Sequence, residues 1–248
     1  MKKFLIANWK MQLTVEESIA LATEIVGHAS TNVVICPSHT ALAGVAQALV
    51  GSGIALGSQD VFWQDKGAYT GEVSPAVLKE LGCAYCLVGH SERRQNMGET
   101  NEMIAKKVSA LVADGIVPVL CVGETREERD AGKKNTVVHE QLREGLRGLS
   151  ALTAPLLVAY EPRWVIGTGV PIAPSDAEEM HAFIWKTIGK IFSESMCEKY
   201  VSVLYGGAVD AKNLAGFLAM PHIHGALVGG ASLRADEFAR MVAIVENA

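Results

Sequence analysis

The sequence lacks a basic excess, a long apolar run, paired cysteines and a linker. Twenty-two Lys and Arg stand against 27 Asp and Glu, a formal net charge of −5. That is the wrong sign for a general nucleic-acid binder. No uninterrupted apolar run nears the roughly 18 residues that cross a bilayer, so no membrane partner is expected. Met1-Lys2-Lys3 leads into only four apolar residues, 4–7, before Asn8. That is too short for the apolar region of a signal peptide and points to a cytoplasmic protein. The five cysteines, Cys36, Cys83, Cys86, Cys121 and Cys197, are odd in number and scattered, which makes no disulfide framework. Cys83-Ala84-Tyr85-Cys86 has the spacing of a redox or zinc half-site, yet no second Cys or His pair stands at ligand spacing. Cys86 also falls inside the apolar run Tyr85-Cys86-Leu87-Val88, so packed, reduced thiols are the simpler reading. With no Pro/Ser-rich stretch and no charge block, residues 1–248 are expected to form a single domain.

What is present is an alternation. Apolar residues make up 49% of the chain, enough for one sizeable core. Short apolar runs recur at 4–7, 33–36, 54–56, 85–88, 117–122, 156–160, 201–205 and 226–228. They are nearly continuous, as strands buried on both faces are. Helical patterns lie between them. Thr14-Val15-Glu16-Glu17 and Ser175-Asp176-Ala177-Glu178 read as capping boxes. After the second, Ala177, Met180, Ile184, Ile188 and Ile191 share one helical face, and so do Phe238, Met241, Val242 and Val245 in their own segment. Eight units of about 31 residues match the size of a βα repeat. A closed (β/α)8 barrel and an open doubly wound sheet both remain. The unit count favours the closed α/β barrel, and no G-x-G-x-x-G follows the first run.

In a barrel, reactive groups stand where strands end. Those places hold Asn8-Trp9-Lys10, Gln59-Asp60, Gly89-His90-Ser91-Glu92-Arg93-Arg94, Gly123-Glu124, Glu161-Pro162-Arg163-Trp164, Gly206-Gly207 and Gly229-Gly230. Singly, each has a bland reading. A Lys after a strand is ordinarily a solvated charge, and Gly-Gly is ordinarily a turn. Together they supply one cation, one imidazole and one carboxylate from three strands at one end of one barrel. Glycine lets backbone N–H groups approach an anion, and phosphate sites in such barrels favour the loops after strands 7 and 8. Both loops open on Gly-Gly with no Lys or Arg directly beside it, which implies a small phosphorylated ligand held by backbone. The segment 162–174, with Gly167-Thr168-Gly169 at its middle, follows Glu161 directly and reads as a lid rather than a passive surface loop.

The motifs resemble the triosephosphate isomerase family. The matching segments are Asn8-Trp9-Lys10-Met11, Gly67-Ala68-Tyr69-Thr70-Gly71-Glu72-Val73-Ser74, Val88-Gly89-His90-Ser91-Glu92-Arg93-Arg94, Cys121-Val122-Gly123-Glu124, Ala159-Tyr160-Glu161-Pro162, Ile166-Gly167-Thr168-Gly169, Tyr205-Gly206-Gly207 and Val228-Gly229-Gly230-Ala231-Ser232-Leu233, in the family's order. The resemblance implies proton transfer between C1 and C2 of dihydroxyacetone phosphate and D-glyceraldehyde 3-phosphate, in glycolysis and gluconeogenesis. It makes Glu161 the base, His90 the electrophile, Lys10 the ammonium that offsets negative charge and Asn8 an orienting amide. Backbone N–H groups of Gly167, Ala208, Gly229 and Gly230 would hold the phosphate, with Glu92 and Ser91 behind the reacting groups. Pro162, Arg163, Trp164, Ile166, Gly167, Thr168 and Gly169 would form the lid, with Tyr205 grouped with it. A homodimer is implied, with Thr70 reaching into the partner and Trp63 and Tyr69 as apolar anchors. No cofactor and no metal is required.

The chain departs from the family in places. Ala208 stands where serine is usual, which removes a hydroxyl that helps hold the closed lid. Val170-Pro171-Ile172 ends the lid, Arg163 occupies its leading hinge, and Gln12 stands where Asn is common. These departures imply a lid that is latched differently. An isomerase of a four-carbon ketose phosphate and an inactive sugar-phosphate binder stay as alternatives. Intact Lys10, His90 and Glu161 weigh against the second.

Overall fold

Strands that are apolar on both faces need cover on both sides, and a closed sheet ringed by helices provides it. The computed structural model describes residues 2–27, 32–165 and 170–248. Its strands are β1 (Phe4–Asn8), β2 (Val33–Cys36), β3 (Ala55–Ser58), β4 (Cys83–Val88), β5 (Val117–Val122), β6 (Leu156–Tyr160), β7 (Val201–Tyr205) and β8 (Gly225–Val228). Each pairs in parallel with the next, and β8 closes on β1. The fold is the closed (β/α)8 barrel that the unit count favoured.

The helices are α1 (Val15–Val26), α2 (Leu42–Ala48), α3 (Pro75–Glu80), α4 (Ser91–Asn96), α5 (Asn101–Asp114), α6 (Arg126–Asp130), α7 (Lys134–Gly145), α8 (Pro174–Ile191), α9 (Glu194–Tyr200), α10 (Leu214–Leu218) and α11 (Ala235–Glu246). Successive strand residues point to opposite faces, so the core is two layers. Ile6, Val34, Leu87, Val119, Leu157, Leu204 and Leu227 fill the barrel interior. Leu5, Val33, Ile35, Val88, Leu120 and Val158 pack outward against helical residues such as Ile104, Leu142 and Ile184. Truncating one of the interior leucines to alanine costs roughly 2–5 kcal/mol, because the packed layers cannot collapse into the gap.

Local chemistry sets the element ends. The Thr14–Glu17 capping box forms at the start of α1. A second one, Thr125–Glu128, starts α6. The box expected at Ser175 does not form. Pro174 takes the first helical position, where its missing N–H costs nothing, and Ala173 precedes it without a side-chain cap. Ser175 therefore falls inside the first turn. Strand β3 also runs later than its apolar run, ending in Gly57 and Ser58. A side chain at Gly57 would meet Val34 and Cys36 on β2, so the strand is small and polar where packing is tightest.

All five thiols are free and buried. Burial pushes Cys83 up to about 12 and Cys197 up to about 11, so both stay protonated. No helix among the described residues is long and apolar enough to cross a membrane.

Candidate active site

Because every strand runs the same way, their C-terminal ends gather at one rim. A cleft of about 340 Å³ opens there. Asn8, Lys10, His90 and Glu161 line one part of it, and the loops after β7 and β8 line the other.

Lys10 enters this cleft from a strained backbone. With φ 52°, it is the only non-glycine residue in the left-handed region among the described residues. Two neighbours hold that conformation. The Lys10 N–H donates to Asn8 Oδ1 at 3.0 Å, and Gln59 Nε2 donates to the carbonyls of Lys10 at 2.8 Å and Cys36 at 3.0 Å. The Lys10 ammonium lies 2.6 Å from Glu92 Oε1. Asn8 itself is buried at the end of β1, so its amide acts from a fixed place.

His90 stands on the corner between β4 and α4. Gly89 before it has φ 70°, and a side chain there would run into Ile104 and Arg94, so glycine is required. His90 caps α4: its Nδ1 accepts from the Glu92 N–H at 3.3 Å. Nδ1 is therefore unprotonated, and in the neutral ring Nε2 carries the hydrogen. His90 Nε2 lies 3.0 Å from Glu161 Oε1, and the Ser91 N–H donates to Glu161 Oε2 at 2.9 Å. Burial alone would raise the Glu161 pKa. The imidazole, the Ser91 N–H and Lys10 outweigh it and hold the carboxyl below its ordinary value. For His90, burial pulls the pKa down, but the Glu161 carboxylate more than offsets this and leaves it raised.

The loop after Glu161 is anchored by Glu124, a fully buried residue just beyond β5. Its carboxylate accepts from the Tyr160 hydroxyl at 3.0 Å and from Trp164 Nε1 at 3.1 Å, and its carbonyl accepts from the Arg163 N–H at 3.0 Å. Arg129 sits 3.4 Å from the same carboxylate and stacks over the Trp164 ring. Arg163 and Trp164 are thus fixed, directly after Pro162, at the start of the segment expected to form a lid. Ile166, Gly167, Thr168 and Gly169 lie outside the described residues. The segment returns with Val170 exposed and Ile172 buried. Tyr205 ends β7, stacked on Phe217. Burial pushes its hydroxyl up to about 12, only partly offset by the Ile172 backbone.

The opposite wall is backbone. The Gly206 N–H donates to the Tyr160 carbonyl at 2.8 Å, and Asn213 Nδ2 donates to the Ala208 carbonyl at 3.1 Å, which pins the loop. The N–H groups of Ala208, Gly229 and Gly230 donate to no protein acceptor among the described residues. Three free N–H groups in one wall make an anion site without a cation of their own. Lys10 supplies the cation: a Cβ built on Gly229 would lie 3.4 Å from Lys10 Cε.

The structure therefore brings Asn8, Lys10, His90, Glu161, Ala208, Gly229 and Gly230 to one cleft, with Ser91 and Glu92 directly behind His90. Thr70 does not line it; it stands in an exposed arm, residues 64–72. Gln59 and Glu124 were visible in the sequence only as polar residues at strand ends. What they do depends on partners far along the chain. No group of three or more His, Cys, Asp or Glu among the described residues is arranged to hold a metal ion.

Comparison with known proteins bears on the whole barrel. The family model described as triosephosphate isomerase matches residues 3–245. A protein named triosephosphate isomerase from Moorella thermoacetica is 49% identical over 239 residues, covering 95% of each chain. Proteins of the same name from Citrifermentans bemidjiense and Chlorobium luteolum are 46% and 45% identical, covering 97–98% of each chain. With the match running from the first strand to the last helix, the chain belongs to the triosephosphate isomerase family.

Proposed function

We propose that this chain interconverts dihydroxyacetone phosphate and D-glyceraldehyde 3-phosphate through an enediolate. One observation carries the reading: Glu161, His90 and Lys10 meet in a single cleft whose far wall presents three backbone N–H groups that donate to no acceptor among the described residues. The phosphate seats on the N–H groups of Ala208, Gly229 and Gly230, and the triose carbons lie between His90 and Glu161 once Glu161 has turned toward them. Glu161 leaves the α4 corner, takes a proton from C1 and returns it at C2. His90 Nε2–H donates to the oxygens where negative charge develops, and Lys10 offsets the remaining charge. A donor so placed is worth roughly 3 kcal/mol in the transition state. Once Glu161 turns from His90 to the substrate, the imidazole loses the partner that raises its pKa. Burial then dominates and keeps it neutral, a form that can donate from Nε2. The lid from Pro162 to Pro174, which includes Gly167, shuts out water and protects the enediolate from losing phosphate.

The proposal extends to a homodimer in the cytoplasm, with residues 1–248 acting as one domain. Residues 64–72 are exposed without a break. Tyr69 packs on Phe62 with ring centroids 4.5 Å apart, and Trp63 stacks on the same ring at 4.0 Å, which shapes the arm before any partner arrives. Met11, Met97 and Val77 are exposed apolar groups that a partner's arm would cover. Free thiols favour a reducing compartment.

A coupled assay with D-glyceraldehyde 3-phosphate tests the reaction. Saturable turnover that is lost in Glu161→Gln is the expected result; a wild-type protein without turnover overturns it.

A further inference from the structure

Arg94 lies one turn into α4 from His90. Its backbone N–H donates to the His90 carbonyl at 3.1 Å. Its guanidinium donates to three neutral oxygens: Nε to the Gly89 carbonyl at 2.7 Å, Nη1 to Asn101 Oδ1 at 2.7 Å and Nη2 to the Cys121 carbonyl at 3.1 Å. One planar fork thus ties the β4–α4 corner, the end of β5 and the start of α5. No carboxylate among the described residues lies within ion-pairing distance of it, although Glu161 and Glu99 act on it from farther away. Buried cations are usually paired, so a guanidinium held only by amide oxygens leaves its field for something else.

We infer that Arg94 is a positioning residue of the proposed reaction: it fixes the Gly89–His90 corner through three neutral acceptors and keeps an unmatched positive charge behind the Glu161–His90 pair. The inference rests on the isomerase reading of the cleft. Other groups act on Glu161 as well. His90 and the Ser91 N–H contact it from the α4 corner, the protonated Cys121 thiol on β5 feels its charge, and the Lys10 ammonium beyond β1, paired with Glu92, also favours the carboxylate. Around Arg94 stand Glu99, itself beside Lys107, and Arg163, which bonds Gln95. Arg94 is therefore a second cation, beside Lys10, that favours the Glu161 carboxylate, and one with no carboxylate partner of its own among the described residues; it acts through a protein interior where charges are weakly screened.

Two variants separate geometry from charge. Arg94→Lys keeps the charge and loses the fork. It is expected to lower kcat about tenfold, with KM within about twofold and the acid limb of the kcat/KM profile unmoved. Asn101→Asp keeps the shape and the bond to Nη1 but sets an anion on the guanidinium. It makes Glu161 harder to ionise, so kcat/KM is expected to fall about fivefold on the acid limb and to stay within about twofold at about pH 8. An unmoved acid limb in Asn101→Asp, or an Arg94→Lys enzyme equal to wild type, overturns the inference. A carboxyl NMR titration of Glu161 in the same variants reads the field without turnover. If the wild type is inactive, the reaction fails whatever the titration shows. If it turns over and the Glu161 titration does not move in Asn101→Asp, the role of Arg94 fails alone.

Discussion

Glu161 Oε1 lies 3.0 Å from His90 Nε2, so the two groups that would share the chemistry are hydrogen-bonded to each other. The second carboxylate oxygen is held by the Ser91 N–H on the same corner. This is a parked geometry: the Glu161 carboxylate is buried and aimed at two donors, and as the proposed base it would reach a substrate carbon only by turning away from both.

The first prediction concerns reach. Glu161→Asp shortens the side chain by one methylene and withdraws the carboxylate by about 1 Å. Misplacement of that size costs on the order of 100-fold in rate. Steady-state assays are expected to show the loss in kcat with KM little changed; a loss confined to KM contradicts the assignment.

The parked pair also gives stability a pH signature. The depressed Glu161 pKa means its share is present above the ordinary carboxyl value, about 4.3, and is lost as pH falls through the folded value. The raised His90 pKa means its share is full below about 6.5 and is lost as pH rises through the folded value. The two overlap in between. The Tm gap between wild type and Glu161→Gln is expected to be widest near about pH 5.5 and narrower at about pH 8. Thermal melts across that range that show the opposite order disprove it.

Gln59 supports Lys10 through two carbonyls. Gln59→Leu leaves both unpaired and releases the strained backbone at Lys10. It is expected to lower kcat/KM about tenfold, chiefly by raising KM, because the ammonium no longer stands beside the phosphate wall. Kinetics with circular dichroism as a fold control would check this. Equal KM values would mean that Lys10 keeps its place unaided.

Ala208 offers a backbone N–H to the cleft but no hydroxyl. Ala208→Ser is expected to raise kcat/KM by about threefold to tenfold, the worth of one added hydrogen bond to a closed lid. Unchanged or lower activity would show that Val170, Pro171 and Ile172 already hold the lid by another route.

The arm at residues 64–72 carries the last prediction. Thr70→Arg puts a long cation at its exposed tip. Light scattering is expected to show the dimer's mass falling to that of one chain, and turnover falling at least tenfold. A wild type that already scatters as a monomer removes the proposed assembly.

The barrel was legible because its strands are written in Val, Ile and Leu. β2, β5, β6 and β7 announce themselves as continuous apolar runs, since each is covered on both faces. β3 was misplaced because Gly57 must be small against Val34 and Cys36, and Ser58 spends its hydroxyl on the Asp60 carbonyl. The start of α8 was misread because Pro174 satisfies the first turn before Ser175 can cap it. In the cleft, Lys10, His90 and Glu161 could be picked out because each directly follows a strand. Gln59, Arg94 and Glu124 could not be weighed in the same way. Gln59 bonds Lys10 across 49 positions, Arg94 bonds Cys121 across 27, and Glu124 bonds Trp164 across 40. Only the closed barrel brings such pairs together.

One atom links catalysis to folding. The lone pair on His90 Nδ1 both caps α4 and sets the ring tautomer that leaves Nε2 as the donor. A proton on Nδ1 removes the cap as it charges the ring, while the Glu161 carboxylate favours that same charge, so the cap and the parked pair pull the ring in opposite directions. α4 also carries Glu92, which steadies Lys10, and Arg94, which braces the corner. A loosened first turn would therefore unsettle the cation as well as the imidazole. The ring proposed as the electrophile is also the first stitch of a helix, so its charge state and the order of the α4 corner are coupled.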